Sequence, residues 1–311
     1  MNGKKMTWIV RTISLLLIAV FVYLTIRHFE EKIIWEAIRQ LIIHPWRMVY
    51  IFFVYALSFL LRAFAWKWYM PNVRLQTCLD GLFASLFVNH LAPMKIGDLV
   101  RIGVCVKKEK HVPLDVAAHS VAIMRLFDMM VLFVFVVIGM YIYIGTFSVS
   151  LLFFPAIVIG FSLIVWAVWK WKPLFFQKHK QLFFEAFRSP FRVPMIIAIV
   201  GSWICEAVIL FEVAKIFSFP LSFGQAVWVN SMAVAGQIFQ VTPGGLATYE
   251  AVMTFALTRL HPAWQEAYTM ALLTHALKFI FSYFVGIYVL WRVPEMFSFV
   301  RKAQKKGWSK K

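Results

Sequence analysis

Residues 89–101 read NHLAPMKIGDLVR, and this stretch decides how the rest of the chain is arranged. It follows an apolar run that begins like a membrane helix, but Pro93 and Gly97 then interrupt the helical pattern. A helix over residues 81–92 covers only about 18 Å, whereas a hydrocarbon core is about 30 Å thick. The stretch therefore predicts a helix that breaks part-way through a membrane.

Three charged residues, Lys95, Asp98 and Arg101, come directly after the break. Charge and broken backbone at this depth persist only when they are buried in protein or face a water-filled cavity. The alternative is a short buried helix followed by a cytoplasmic loop, in which water solvates the same charges. We favour the first interpretation, a polar interior within a membrane domain.

The composition is that of a polytopic membrane protein, with 62% apolar and 15% charged residues and a mean hydropathy of +0.76. The net charge of +18 does not indicate nucleic-acid binding, because Lys and Arg cluster in short loops and in the tail. Three scattered cysteines, Cys78, Cys105 and Cys205, form no CxxC pair and no disulfide framework.

Hydropathy along the chain predicts an all-α polytopic membrane protein with about six full transmembrane helices and two re-entrant helical hairpins. The predicted spans are 8–26, 46–70, 116–143, 150–169, 194–217 and 265–291. The predicted hairpins are 79–106 and 225–260, and amphipathic interfacial segments are expected at 30–44 and 172–192. All of these belong to a single transmembrane domain, 1–292, which a basic cytoplasmic tail, 293–311, follows.

The two halves, about 8–146 and about 150–292, repeat the same order of elements, and Pro93 and Pro243 lie 150 residues apart. The positive-inside rule puts both termini in the cytoplasm if the first hairpin enters from inside and the second from outside. The halves then form an inverted-topology repeat, which is typical of transporters with a substrate site at the midplane. Full spanning by the second hairpin is left open.

NHLAPMKIGDLVR, with RLFD at 125–128 and PGGLATYE at 243–250, resembles the transmembrane domain of lysylphosphatidylglycerol synthases, which also occurs alone as flippase-like proteins of bacteria and archaea. The resemblance covers about residues 8–292. Asp98 stands where the family usually has Glu, and Ala247 where Gly is common. We expect no soluble aminoacyl-transferase domain of the kind found in the family, so the resemblance implies lipid translocation in a bacterial or archaeal cytoplasmic membrane without lipid-modifying chemistry.

A phospholipid head group that crosses a bilayer needs a partly hydrated path, and helix breaks and buried charges provide one. Cations can hold a phosphate, carboxylates can pair with them or bind a proton, and paired glycines let the backbone approach closely. The candidate cavity residues are Asn89, Pro93, Lys95, Gly97, Asp98, Arg101, Arg125, Asp128, Glu206, Gln237, Gln240, Pro243, Gly244, Gly245, Glu250, His275 and Lys278. The competing interpretation of the charges is a set of ion pairs that only order the helix bundle, as for Arg125 with Asp128 at i,i+3. Arg62 is expected to extend toward the cytoplasmic interface.

The sequence contains no HExxH, GxSxG, P-loop or GxGxxG motif, so it predicts no enzyme, no metal and no cofactor. The expected partner is a membrane lipid: an anionic or aminoacylated phospholipid, or a lipid-linked glycan. Two other functions stay open. One is a lipid-modifying transferase with Asp98 or Glu250 as general base, and the other is a scaffold for a partner lipid enzyme. A homo-oligomer is also left open.

Overall fold

The computed structural model describes residues 31–92, 95–145, 190–237, 242–260 and 264–294, together with single helical positions between 16 and 26 and at 170, 177 and 184. Within these residues the regular structure is entirely helical. The predicted spans 8–26 and 150–169, the segment 172–192 and the tail 293–311 lie wholly or largely outside the described residues, as do Pro93 and Gln240.

The helices in the described part of the chain are α1 Glu31–Ile43, α2 Pro45–Tyr69, α3 Leu75–Leu91, α4 Gly97–Lys108, α5 Leu114–Ile144, α6 Arg192–Ile216, α7 Phe223–Gly236, α8 Thr248–Leu260 and α9 Trp264–Arg292. Four of them, α2, α5, α6 and α9, are long and apolar enough to cross a membrane. They coincide with four of the predicted spans, which confirms an all-helical, multi-pass membrane protein.

Local sequence explains where several of these helices begin and end. Pro45 occupies the first turn of α2, where its missing N–H costs nothing. Ser222 caps α7 and exchanges hydrogen bonds with Gln225, because a hydroxyl and an amide three residues apart satisfy two free backbone N–H groups. Gly145 ends α5 in the left-handed conformation, with φ at 70°.

The short helices α3 and α4 form a hairpin in which the start of α3 lies close to the end of α4. His111 contacts the backbone carbonyl of Asn72 through Nε2 at 3.1 Å, and the Glu109 carboxylate accepts hydrogen bonds from Arg74 and Thr77. Burial raises the pKa of Glu109, but the hydrogen bonds from Thr77 and Arg74 outweigh it and leave that pKa below its usual value. The chain therefore leaves the hairpin close to where it entered.

The helices pack in pairs that correspond between the two halves of the chain. The long helices α2 and α6 pack against each other, α3 packs on α9, and α7 packs on α5. Glycine permits both crossings: a Cβ at Gly286 would lie 2.3 Å from the Phe87 ring, and one at Gly139 would lie 2.1 Å from Trp228. Each hairpin is therefore held by the last long helix of the other half.

Candidate functional site

A cavity of about 140 Å³ lies among the long helices and the two hairpins, and its lining combines charged side chains with apolar and aromatic ones. The charged and titratable lining residues are Arg62, Lys95, Arg101, Arg125, Asp128, Glu206, His90, His275 and Lys278. Asn89, Gln237 and Gly244 from the two helix breaks also line it. Most of the predicted site residues that the structure describes are thus brought together around one space.

Glu206 of α6 is the centre of one buried network. It accepts hydrogen bonds from Arg62 of α2 at 2.6 Å and from Lys278 of α9 at 2.8 Å. Lys278 also donates to Asn230 of α7 at 2.9 Å, and Arg62 donates to Ser202. The expectation that Arg62 extends toward the interface is wrong, because its partner lies in the interior and its side chain is only 12% exposed.

Asp98 and Arg125 form a second network, at the start of α4. Arg125 Nε lies 3.0 Å from each Asp98 oxygen, and Arg125 Nη2 donates to Oδ1 at 2.8 Å. Asp128 is farther from Arg125, at 3.8 Å, and accepts a hydrogen bond from the Trp203 indole at 3.2 Å. The main partner of Arg125 is therefore on another helix and not its i+3 neighbour, and the pair ties the first hairpin to α5.

Glu250 and His275 form a third pair, between α8 and α9. His275 Nδ1 lies 2.7 Å from Glu250 Oε1, and both side chains are almost completely buried. The imidazole stacks on Tyr249 with ring centroids 4.2 Å apart. Glu250 Oε2 has no hydrogen-bond partner among the described residues, so one carboxylate oxygen remains available.

Lys95 and Arg101 differ from the other cations of the cavity lining because neither forms a direct ion pair with a described carboxylate, and Asp98 and Asp128 act on both only at longer range. The Arg101 guanidinium lies 3.9 Å above the Trp66 ring, and the residue is only 2% exposed. Its Nε is buried without a hydrogen-bond partner among the described residues. Because a cation without a direct counter-charge is costly in a protein interior, these two side chains are the cavity's candidates for binding an anion.

An amide side chain holds each of the two helix breaks. Asn89 Oδ1 accepts a hydrogen bond from the Gly97 N–H at 2.8 Å, and Gln237 Nε2 donates to the Gly244 carbonyl at 3.0 Å. Gly97 is required because a Cβ there would lie 2.3 Å from the Ser85 carbonyl oxygen. Pro243 begins the turn of 3₁₀ helix, Pro243–Gly245, in which Gly244 and Gly245 have positive φ.

Sequence reasoning missed several residues that complete the site. Ser202, Trp203 and Asn230 hydrogen-bond to its charged groups, and Trp66 supports Arg101. Glu212, which lies 150 residues after Arg62, pairs with Lys215 and Arg47 and does not line the cavity. The described residues include no group of His, Cys, Asp and Glu that could hold a metal ion.

The model of one protein family, described as "Lysylphosphatidylglycerol synthase TM region", matches residues 11–286, which is most of the chain. The chain belongs to this family. The match confirms the resemblance that the sequence motifs indicated, and family membership links the protein to the handling of membrane lipids. No curated protein and no solved structure matches the chain.

Two departures from the usual lysylphosphatidylglycerol synthase motifs have structural counterparts here. Asp98, in place of Glu, still forms a two-point pair with Arg125. Ala247 has a φ of 71°, in the region where glycine is favoured. The first departure preserves the ion pair, whereas the second leaves strain in the backbone before α8.

Proposed function

We propose that this protein moves an anionic phospholipid, or a lipid with a comparable anionic head group, across the membrane through the central cavity. The observation that carries the proposal is the pair of cations, Lys95 and Arg101, that line the cavity without a direct ion pair to a carboxylate among the described residues. A head group with a negative phosphate would neutralise them. The lipid's acyl chains would remain in the bilayer.

The energetics favour such a ligand over a purely structural role. A charged side chain at the centre of a membrane helix costs about 2.5–3.5 kcal/mol on insertion scales. Glu206 and Asp98 offset that cost through direct ion pairs with their partner cations, whereas Asp98 and Asp128 act on Arg101 only at longer range. The planar guanidinium of Arg101, fixed over Trp66, can offer two parallel N–H donors to phosphate oxygens.

The pairing of elements supports an inverted repeat around this site. Corresponding helices make corresponding contacts, with α3 on α9 and α7 on α5. Asn89 and Gln237 hold the two breaks in equivalent ways, near the apex of each hairpin. In this proposal both hairpins are re-entrant from opposite sides, both termini are cytoplasmic, and rocking of one half against the other exposes the cavity alternately.

A lipid-modifying transferase is the second candidate, because Glu250 and His275 form a buried carboxylate–imidazole pair beside the cavity. A carboxylate that orients a histidine is the arrangement of many general bases. Asp98 fits that role less well, because Arg125 occupies both of its oxygens.

One reconstitution experiment separates these functions. Purified protein is placed in phosphatidylcholine vesicles with a trace of fluorescent phosphatidylglycerol, phosphatidylethanolamine or phosphatidylcholine, and dithionite quenching reports exchange between leaflets. We expect protein-dependent exchange that is fastest for phosphatidylglycerol, with the lipid mass unchanged. A covalently changed lipid in the mass spectrum would instead support the transferase, and neither exchange nor product would support a scaffold.

A further inference from the structure

A second, apolar cleft of about 430 Å³ lies beside the charged cavity, between α9 and the segment that leads from the 3₁₀ turn into α8. Its apolar lining residues are Leu246, Leu272, Ala276, Phe279, Ile280 and Tyr283. Those on α9 recur at intervals of three and four residues, so they form one stripe on the helix surface. The stripe includes exposed side chains, since Ile280 is 52% exposed. The cleft therefore opens on an exposed, apolar surface of α9.

The inner end of the cleft is polar and is shared with the charged cavity. His275 lines both spaces, and Glu250, its partner, lines the cleft. A molecule that passed from one space to the other would pass this buried pair. The two spaces are thus neighbouring compartments with one polar boundary.

The aromatic ring of Phe279 lines the cleft and contacts two residues of the charged cavity. Its centroid lies 4.5 Å from the ring of His90 and 4.9 Å from that of His275, and both histidines line the charged cavity. The ring also packs against the backbone of Gly244, where an added Cβ would lie 2.2 Å from it. The ring therefore lies between the cleft and these two histidines of the cavity lining.

We propose that the cleft binds one acyl chain of the lipid whose head group occupies the charged cavity, and that Phe279 is the gate between head group and chain. The inference rests on the proposed function and adds that the substrate is a lipid recognised by its chain as well as by its charge. Because His275 lines both spaces, a single molecule can extend from the charged cavity into the cleft, and this favours a lipid chain as the occupant of the cleft. A phospholipid has an anionic end, a polar ester region and apolar chains in the same order as the cavity, the Glu250–His275 pair and the cleft.

The first test fills the cleft without touching the charged cavity. Ala276→Trp places a large ring in the cleft from an exposed position on α9, and the matched control, Ala122→Trp, changes an exposed alanine on α5. In phosphatidylcholine vesicles, we expect Ala276→Trp to slow exchange of fluorescent phosphatidylglycerol about tenfold or more, while Ala122→Trp exchanges at the wild-type rate. Inhibition by soluble glycerophosphoglycerol, which has the head group without chains, should be unchanged in both.

Folded Ala276→Trp protein that exchanges phosphatidylglycerol at the wild-type rate would overturn the inference. Equal loss of exchange in both Trp variants would overturn it too, because the effect would then not belong to the cleft. A second measurement does not depend on transport: phosphatidylglycerol with a photoreactive group on one chain is cross-linked in vesicles, and the labelled peptide is identified. We expect labels on Leu272, Ile280 or Tyr283, reduced by Ala276→Trp and by excess unlabelled phosphatidylglycerol but not by phosphatidylcholine.

The two proposals fail in different ways. In one outcome, wild-type protein exchanges no lipid but is labelled in the cleft, and excess phosphatidylglycerol reduces the labelling. This outcome would refute transport but support the acyl-chain site. Wild-type protein that exchanges phosphatidylglycerol with labels spread evenly over the exposed faces of α5, α6 and α9 would keep transport and refute the chain site.

Discussion

At the scale of single residues, Ala247 carries backbone strain that a glycine would relieve. Its φ of 71° places it in the left-handed region, which costs an L-residue about 1–2 kcal/mol, whereas glycine loses about 0.5–1 kcal/mol through its greater freedom in the unfolded chain. We therefore expect Ala247→Gly to stabilise the protein by about 0.5–1 kcal/mol, measured by thermal unfolding in detergent. The control, Ala251→Gly inside α8, should destabilise it; a lower melting temperature for Ala247→Gly would show that the turn is not strained.

Arg101 tests whether the shape of the cation matters as well as its charge. Arg101→Lys keeps one positive charge but loses the planar group that lies over Trp66 and the fork that can grip two phosphate oxygens. We expect exchange of phosphatidylglycerol to fall about tenfold, equivalent to about 1.4 kcal/mol. The matched control is Arg259→Lys, because Arg259 also lies over an aromatic ring, that of Phe255, but outside the cavity. Wild-type exchange by Arg101→Lys would remove this guanidinium from head-group binding.

Sequence could identify the charged residues of the site more readily than their partners. Lys95, Asp98 and Arg101 are conspicuous because they follow a helix break in apolar sequence. The partner of Asp98 could not be predicted from spacing, because Arg125 lies on another helix, whereas Lys95 and Arg101 are nearer in the sequence. The partner of Arg62 also lies on another helix. Sequence alone predicts that a lone cation in a membrane helix extends toward the interface, and only the packing of α2 on α6 places Glu206 beside Arg62.

At the scale of elements, two glycines set how closely the hairpins approach the long helices. A Cβ at Gly139 or Gly286 would overlap Trp228 or Phe87, whereas a Cβ at Gly201 would meet only Leu61, at an ordinary 3.4 Å. We expect Gly139→Ala and Gly286→Ala to destabilise the protein by about 1–3 kcal/mol each, because an overpacked core must shift. Gly201→Ala should be neutral or stabilising, since alanine is the better helix former. The melting temperatures of the three variants are compared with that of the wild type. Equal changes in all three would contradict the close crossings at Gly139 and Gly286.

The helix breaks were predictable from sequence because proline and glycine act locally, and the observed helices end at Leu91 and Gly236 and restart at Gly97 and Thr248. The two amide side chains that hold the breaks were not. The sequence indicates Asn89 and Gln237 only as candidate cavity residues. Neither spacing nor hydropathy reveals that each side chain hydrogen-bonds to the backbone that follows its own helix break. Such contacts depend on how the chain returns after the turn.

At the scale of the whole molecule, the inverted repeat predicts on which side of the membrane each hairpin begins and ends. On a background without native cysteines, single cysteines are placed at Asn72 and Lys110, before and after the first hairpin, and at Pro220 and Arg259, around the second. We expect a membrane-impermeant maleimide added outside to label cysteines at positions 220 and 259. Cysteines at positions 72 and 110 should be labelled only after the membrane has been permeabilised. Labelling of 72 and 110 from opposite sides would mean that the first hairpin spans, and the inverted repeat would be wrong.

We propose that the excess of positive charge in the cavity, at Lys95 and Arg101, selects an anionic lipid for transport. The most direct measurement is the ratio of phosphatidylglycerol to phosphatidylcholine exchange in vesicles, for wild type and for Lys95→Gln with Arg101→Gln. Because Coulomb attraction is weakly screened in such an interior, we predict a ratio well above one for wild type that falls toward one in the double variant. Lys215→Gln, which alters a paired and half-exposed lysine outside the cavity, should leave the ratio unchanged. A folded double variant that keeps the wild-type preference for phosphatidylglycerol would contradict the account.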